Sequence, residues 1–598
     1  MGIIAESKAI SNPHADAVRR MNIALAMRKD GDPERALHEL DRVTLMAPSF
    51  AEGHHQRGNI LKCLGRFREA ADALGKAASL APSNAVIFLN LGVALLELKA
   101  YSEAADCFGV AVKLEPGRPE GHNILGHALI KAGRCTEAIA SLEAALRLQP
   151  DSAAPHDNLG RALAAQGRTE EAILHYRKAV GIAPNHLIHS NLLYSMNLMD
   201  LDPAVVRSEH ETWGRLYGNA SRICKPRPAS SSLFGRRLKV GYVSPDFVDH
   251  SVAYFVAPIL ANHDRTQVEV FCYSSAKVPD GVTQRLRGFA EHWRDIARLS
   301  DDEAAGLISR DGVDLLVDLS GHTGENRLLI FARRPAPVQA TWIGYPNTTG
   351  LECIDFRLTD SASDPPGMTD AYYTEKLVRL SDTFLCYEPC LESPPVGPLP
   401  AVGKGSVTFG CFNNFAKVRP EMLDLWAQIL VEIPDSNLFL KSGGFEDPKT
   451  RALVANRFQQ LGVEPDRIRF DGLLRSTAHH LQLYNFVDIA LDTYPYNGAT
   501  TTCEALWMGV PVVTLAGRTH VSRVGASLLS QLGLSSHVAS NITDYRETCK
   551  RLAADIPHLT ALRSELRARM RKSPLCNSPQ FVRRLEEAYM TMTETPAK

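Results

Sequence analysis

Between residues 85 and 118 the chain reads AVIFLNLGVALLELKAYSEAADCFGVAVKLEPGR, and its apolar positions recur at helical spacing. Leu91, Ala94, Leu95 and Leu98 share one face. Tyr101 and Ala104 open a second helix, with Phe108 and Ala111 on its inner side. Gly92 and Ala104 are small enough for the paired helices to approach closely. Pro116 has no N–H to donate and ends the second helix. This unit recurs. Gly58, Gly92, Gly126 and Gly160 stand 34 residues apart, as do Pro82, Pro116, Pro150 and Pro184. Ala70, Ala104, Ala138 and Ala172 keep the same interval, and Pro48 and Ala36 extend two series one period back. Three series in one phase predict five stacked helical hairpins over residues 17–186. Each hairpin is too small to bury its apolar face alone, so it must stack on its neighbours.

The repeat resembles the tetratricopeptide repeat, which implies an all-α superhelix with an extended concave surface suited to an extended peptide. Asn90 and Asn158 occupy the same repeat position. A side-chain amide there could bond a peptide backbone without reading its sequence, or could cap a local turn. Self-association, including a homodimer, is the other use open to such an arm. A helical section over 187–235 follows, with His210, Trp213 and Tyr217 at helical spacing, read as packing rather than chemistry.

From Arg236 the period changes. RLKVGYVS, VEVFCYSS, GVDLLVDLS and VQATWIGY are apolar runs of strand length, and a helix is predicted near 252–262. The Pro-rich stretch EPCLESPPVGPLP interrupts the alternation, giving a first lobe over 236–387 and a linker over 388–405. VTFGCF, SNLFLK, RIRFDG, VDIALD and VPVVTL then alternate with helical segments in a second lobe over 406–545, and 546–598 reads as helical and charged. Such alternation predicts parallel sheets with helices on both faces, and ligands at the C-terminal strand ends of a cleft between lobes.

Length and charge narrow the function. A chain of 598 residues implies about two to four domains. A net charge of −1 gives no electrostatic footprint for nucleic acid or an anionic membrane. No run approaches the ~18 apolar residues of a membrane span. MGIIAESKAI lacks the basic-then-apolar order of a signal peptide, and Glu6 departs from the myristoylation pattern. Twelve cysteines without CxxC pairs read as reduced thiols, so a cytoplasmic location is expected.

Four segments carry candidate chemistry. In ALDTYPYNGATTTCEALWMGVPVV a strand runs into a Pro/Asn/Gly turn, and Thr500, Thr501 and Thr502 open a helix. Backbone N–H groups at a helix start bind phosphate, and the hydroxyls add donors. Glu504, one turn in, could hold two ribose hydroxyls or simply complement the helix dipole. CFNNFAKVRP places Asn413, Asn414 and Lys417 after a strand, where a lysine could neutralise a departing diphosphate or stay in solvent. His250 follows the first strand of the other lobe, and His322 and Thr323 follow its third, so all three face the same predicted cleft.

GYVSPDF, RPAPVQATWIGYPNTTG, CFNNFAK and LDTYPYNGATTTCEALWMGVPVV together resemble the catalytic domain of the tetratricopeptide-containing protein O-glycosyltransferases, the family of O-GlcNAc transferase and SPINDLY. The resemblance implies a two-lobed α/β GT-B fold after the repeat superhelix. It also implies metal-independent, inverting transfer of one sugar to Ser or Thr hydroxyls of proteins held by the arm. Residue by residue, it implies that His250 lies near the reacting sugar and acceptor and that Lys417 and Asn414 serve the diphosphate. Thr500 and Thr501 would bind phosphate, Glu504 the ribose, and His480 the base, with His479 one position off; His322 and Thr323 remain candidates for sugar or acceptor contact. Ala499 departs from the animal enzyme's histidine, and Ser251 and Val252 from its Pro-Thr pair. The wording at HSVAYF, WIGYPNTTGL and DTFLCYEP is closer to SPINDLY, a branch that resembles a GDP-fucose user, so UDP-GlcNAc and GDP-fucose both stand as donors. A catalytically dead adaptor and a small-molecule sugar enzyme are the competing readings. The lysine, threonines and histidine kept together speak against the first, and the solenoid against the second.

Overall fold

The computed structural model describes residues 13–220, 223, 235–472 and 476–594. The N-terminal stretch weighed above as a leader, and residues 221–222 and 224–234 of the helical linker section, lie outside them. Contacts divide the chain after Leu163, into units Met1–Leu163 and Ala164–Lys598.

The first unit is the repeat array. Its hairpins run Pro13–Lys29 with Pro33–Met46, Ala51–Cys63 with Phe67–Leu80, Ala85–Glu97 with Tyr101–Leu114, and Pro119–Lys131 with Cys135–Leu148. The repeat glycines have one physical cause. A Cβ added at Gly58 would sit 2.5 Å from Leu74, at Gly92 2.6 Å from Phe108, and at Gly126 2.5 Å from Leu142. In each hairpin a buried apolar side chain of the second helix fills the place that a Cβ on the first would take. The fifth hairpin straddles the division. Helix Thr169–Ile182 makes its contacts with the larger unit.

The larger unit holds two parallel sheets. Among the described residues the first has the order β3-β2-β1-β4-β5-β6-β7. Its strands are β1 Leu238–Ser244, β2 Val268–Ser274, β3 His292–Asp295, β4 Leu315–Asp318, β5 Val338–Thr341, β6 Phe356–Asp360 and β7 Lys376–Leu380. The second has the order β10-β9-β8-β11-β12-β13. Its strands are β8 Val407–Cys411, β9 Ser436–Lys441, β10 Ile468–Asp471, β11 Ile489–Leu491, β12 Val512–Leu515 and β13 Val538–Ala539. β3, β6 and β7 escaped the sequence reading because HWRD, FRLTD and KLVRL mix charge with apolar positions. Strand order reverses at β1/β4 and at β8/β11, and a parallel sheet opens its ligand crevice beyond the strand ends at such a point.

The C-terminal helix Ser578–Glu594 does not stay with the second lobe. It returns to the first, where Tyr589 meets Tyr242 at 3.1 Å, Glu586 meets His263 at 2.8 Å, and Phe581 stacks on Trp342. Helices His186–Met196 and Pro203–Tyr217 also pack on the first lobe, the former through Ser190 and the latter through His210 and Trp213, all against His322.

Gly126→Ala tests the packing account of the repeat. Alanine gains ~1 kcal/mol of helix propensity, but the crowded Leu142 contact costs ~1–3 kcal/mol. Packing wins, so urea denaturation should give a less stable arm; a more stable one would assign the glycine to something other than close approach.

Candidate active site

Both switch points carry the chemistry-bearing loops. His250 follows β1, Asn413 to Lys417 follow β8, and the turn 493–499 follows β11. Asp492 ends that strand with 1% exposure. Its Oδ1 accepts from the backbone N–H of Gly498 at 2.7 Å and of Thr493 at 2.9 Å, and from Asn413 Nδ2 at 3.1 Å. Its Oδ2 accepts from Thr514 Oγ1 at 2.7 Å. Burial raises the Asp492 pKa, and these donors pull against the rise.

The turn leads into helix Thr500–Trp507, whose N-cap residue, Ala499, makes no side-chain cap bond. Its first N–H groups therefore have no side-chain acceptor, which is the arrangement that favours an anion. Thr500 and Thr501 stand half-buried at this start, and Thr501 Oγ1 donates to Asn413 Oδ1. Gly498 is required by closeness, since a Cβ there would lie 2.5 Å from Asn413 Oδ1. Lys417 Nζ donates to the carbonyl of Asn497 at 3.2 Å and lies 3.9 Å from the Tyr496 ring centroid. Burial of this ammonium end lowers its pKa to about 8, with Asp492 opposing the fall.

A second cluster lies at the far end of the same helix start. His480 Nε2 meets Glu504 Oε2 at 2.9 Å, and Lys441 Nζ donates to His480 Nδ1 at 2.8 Å. With Nδ1 accepting, the ring's proton sits on Nε2 and points to the carboxylate. Burial lowers the pKa of Lys441. His480 packs against Phe412 and Tyr484, and Tyr484 donates to the Thr501 carbonyl at 3.2 Å. Tyr254, one turn beyond His250 in the first lobe, lies near Thr477 of the second and senses the Glu504 charge, while burial raises its pKa. That proximity places the helix after His250 at the Glu504 end of the cleft. His250 is 47% exposed, accepts from the Val252 N–H at 3.3 Å and lies 3.6 Å from Asp246. Burial raises the Asp246 pKa.

The structure therefore gathers Lys417, Thr500, Thr501, Glu504 and His480 around one helix start, and turns His479 outward. Several expectations need correction. Thr502 is 3% exposed and its hydroxyl donates to the Gly498 carbonyl, so it braces the turn from inside. Asn414 is exposed and caps the short turn Phe415–Lys417 through the Ala416 N–H; its neighbour Asn413 is the one wired to Asp492. His322 is 1% exposed, bonded to Ser190 Oγ and the Thr349 carbonyl and ringed by His210, Trp213 and Tyr345. Burial lowers its pKa far below the usual value, and it serves as a neutral anchor for the linker helices, not as a cleft residue. Thr323 closes its own turn on the Ser320 carbonyl. In the arm, Asn90 joins Lys62 and His55, and Asn158, 8% exposed, joins Asn123, so both amides serve repeat-to-repeat contacts.

Lys441, Asp492 and Tyr254 were not singled out from the sequence. Each is an ordinary strand-end or helix residue in one dimension, and only Asp492 carried a signal, as an acid before a turn. Among the described residues no group of three His, Cys, Asp or Glu side chains is placed to hold a metal ion, and no helix is long and apolar enough to cross a membrane.

Comparison with known proteins accounts for both parts of the chain. The model of glycosyl transferase family 41 matches residues 224–388 and 400–585, and tetratricopeptide models match 64–128 and 125–186. A Petunia hybrida protein named probable UDP-N-acetylglucosamine–peptide N-acetylglucosaminyltransferase SPINDLY is 47% identical over 361 residues, 60% of this chain and 39% of that one. The SPINDLY protein of Arabidopsis thaliana is 43% identical, covering 67% of this chain and 44% of its own. The chain thus spans about two fifths of the length of these curated relatives. A solved structure of an O-GlcNAc transferase mutant from Thermobaculum terrenum superposes with a TM-score of 0.79 at 36% identity, covering 86% of this chain and 98% of that one.

The tautomer of His480 is open to direct measurement. In the wild type its two ring nitrogens should give widely split ¹⁵N shifts, with Nε2 protonated. Lys441→Met removes the donor to Nδ1 and should draw the two shifts together. An unchanged splitting would take Lys441 out of this role.

Proposed function

The chain belongs to glycosyl transferase family 41, and from that premise we propose that it is a protein O-glycosyltransferase, moving one sugar from a nucleoside diphosphate to Ser or Thr hydroxyls. What carries this reading is the Lys417 ammonium held 3.2 Å from the Asn497 carbonyl, beside an uncapped helix start bearing Thr500 and Thr501. That is an anion site with a positive charge built into it. The diphosphate would lie on this helix start, with the ribose toward Glu504 and the base toward His480.

The acceptor hydroxyl attacks the anomeric carbon as the bond to the diphosphate oxygen breaks, so negative charge grows on the leaving group. Lys417 and the helix N–H groups act most strongly at that point, when the charge they face is greatest. His250 would take the acceptor proton at Nε2 in the tautomer whose Nδ1–H faces Asp246, 3.6 Å away; in the tautomer that accepts from the Val252 N–H it positions the hydroxyl instead, and the proton leaves to water. No step in this account routes through a metal. Protein acceptors held along the repeat arm complete the reading.

UDP-GlcNAc is the first donor to test, because the curated relatives carry it in their names. GDP-fucose is the second reading, favoured by the 43–47% identity to SPINDLY-type proteins against 26% to the Caenorhabditis elegans transferase. Calorimetric titration of the purified chain with each donor separates them. Tighter UDP-GlcNAc binding supports the first and tighter GDP-fucose binding the second; binding of neither overturns the enzyme reading in favour of an adaptor.

Lys417 gives two further outcomes. Lys417→Ala should lower kcat roughly 10²–10³-fold and change donor affinity much less; equal loss of both would remove the transition-state role. Folding lowers the Lys417 pKa from 10.5 to about 8, so the unfolded chain holds this proton more tightly. The resulting penalty is full below pH 8 and lifts as pH rises toward 10.5. Turnover goes the opposite way, because stabilising the leaving diphosphate needs the charged form. kcat/KM should fall about tenfold for each pH unit above 8, and Lys417→Arg should flatten that slope. A flat wild-type profile between pH 7 and 9.5 would place the catalytic charge elsewhere.

A further inference from the structure

A cavity of about 680 Å³ lies in the larger unit, away from the residues assigned to the nucleotide. One wall is the turn Gln166–Arg168 and the start of helix Thr169–Ile182. The other is formed by the loop beyond Lys417, Val418 to Pro420, and by helix Pro448–Gln460. Met199, Leu423, Leu453 and Val454 give it apolar surface, and Leu453 is 56% exposed. Its volume is in the range of specific ligand sites, about 300–1,000 Å³.

Three observations restrict the occupant. Thr169 is 3% exposed, lines the cavity, and its Oγ1 has no hydrogen-bond partner among the described residues. A buried hydroxyl without a partner is destabilising, and a ligand acceptor atom would satisfy it. The helix that Thr169 begins has 14 residues and no side-chain cap from Arg168, so its first N–H groups add to the same donor-rich wall. The wall's cations are each matched: Arg168 with Glu171 at 2.7 Å, Arg419 with Glu421 at 2.8 Å, and Arg457 with Asp424 at 2.7 Å. Glu170 and Glu171 also stand in the first turn, so a full anion would meet like charge there. The fitting acceptor is neutral and dipolar, as a backbone carbonyl is. Asn456 and Gln460 at the cavity offer amides with both donor and acceptor, the complement of a peptide bond.

We infer that this cavity binds an uncharged, extended stretch of the acceptor polypeptide, with a backbone carbonyl on Thr169 Oγ1 and aliphatic or proline side chains over Leu423, Leu453 and Val454. This rests on the acceptor being a protein, as proposed above. The site lies beside the catalytic loop without being part of it. A Cβ at Gly167 would stand 3.0 Å from the Val418 carbonyl, so the wall that holds the peptide abuts the residue after Lys417. Acceptor residues remote from the reacting hydroxyl would thereby add affinity and orient the loop that carries the lysine.

The probe is fluorescein-labelled acetyl-Pro-Val-Thr-Ser-Val-Pro-amide, titrated by anisotropy with the full chain in saturating UDP or GDP, whichever the chain binds. Thr169→Val keeps shape and removes the hydroxyl, and should weaken binding about fivefold. Leu453→Glu puts a charge at an exposed apolar position, where folding is not at risk, and should weaken it about tenfold or more. Nucleotide affinity should be unchanged in both. No peptide binding by the wild type, or binding indifferent to both variants, overturns the inference. So does a fall in sedimentation coefficient in Leu453→Glu, which would mean that a second copy of the chain covers the cavity. Failure to bind either nucleotide is a separate result, and counts against the transferase reading itself.

Discussion

The Asp492 carboxylate is the point on which the second lobe's site depends. An ionised carboxylate with 1% exposure is tolerable only when its lone pairs are filled, and four donors fill them. The donors come from three parts of the site. Gly498 and Thr493 bound the turn, Asn413 heads the loop that carries Lys417, and Thr514 lies on the neighbouring strand β12. Asn413 in turn accepts from Thr501, so the carboxylate reaches the helix start through one intermediary. The arrangement braces the Pro/Asn/Gly turn from inside. It also sets an electrostatic balance. Burial alone would drive Lys417 further from its charged form, and the nearby Asp492 charge holds it at a pKa where the proton is still present near neutrality.

The sequence displayed whatever depends on local period or on composition. The 34-residue repeat was legible because its glycines answer a contact made within one hairpin, Gly92 against Phe108 and Gly126 against Leu142. Strands made of apolar runs were legible, whereas β6 is as fully buried but was missed because its buried positions include Arg357, Thr359 and Asp360. The phosphate turn was legible because a strand end, a Gly and a threonine-rich helix start are consecutive. What stayed hidden depends on contacts distant in sequence. His322 sits after a strand that opens on the cleft, yet helices from 130 residues upstream cover it: its partner Ser190 is 132 positions away. Asn413 and Asn414 are indistinguishable in one dimension; only the register of the turn decides which amide faces Asp492. Lys441 reaches His480 across 39 residues, and nothing at either position announces the other.

The two lobes are joined by polar contacts that fix how the His250 loop meets the nucleotide end. At the end of β6, Asp360 accepts from Ser527 Oγ at 2.6 Å, and Asp364 meets His520 at 2.7 Å with Tyr373 on its other oxygen. Arg523 reaches the Ala362 carbonyl at 2.8 Å. These bonds lie along one segment, 360–364, so they resemble a hinge seat more than a broad apolar weld. The returning helix Ser578–Glu594 supplies the second tie, and it is hydrophobic: Phe581, Val582, Leu585 and Tyr589 are buried with the first lobe's core. A polar seat on one side and an apolar strap on the other constrain rotation of the lobes while leaving the cleft side open. Tyr254 faces Thr477 at the cleft, and its carbonyl accepts from the Glu388 N–H at 2.8 Å, so this helix is tied to the linker as well as to the seat and the strap. Because the helix of Tyr254 follows the loop that holds His250, a shift of the first lobe against Thr477 would move His250 away from the Glu504 end of the site. Catalytic geometry in this fold therefore depends on the relative seating of two lobes as much as on the rigid turn that Asp492 organises.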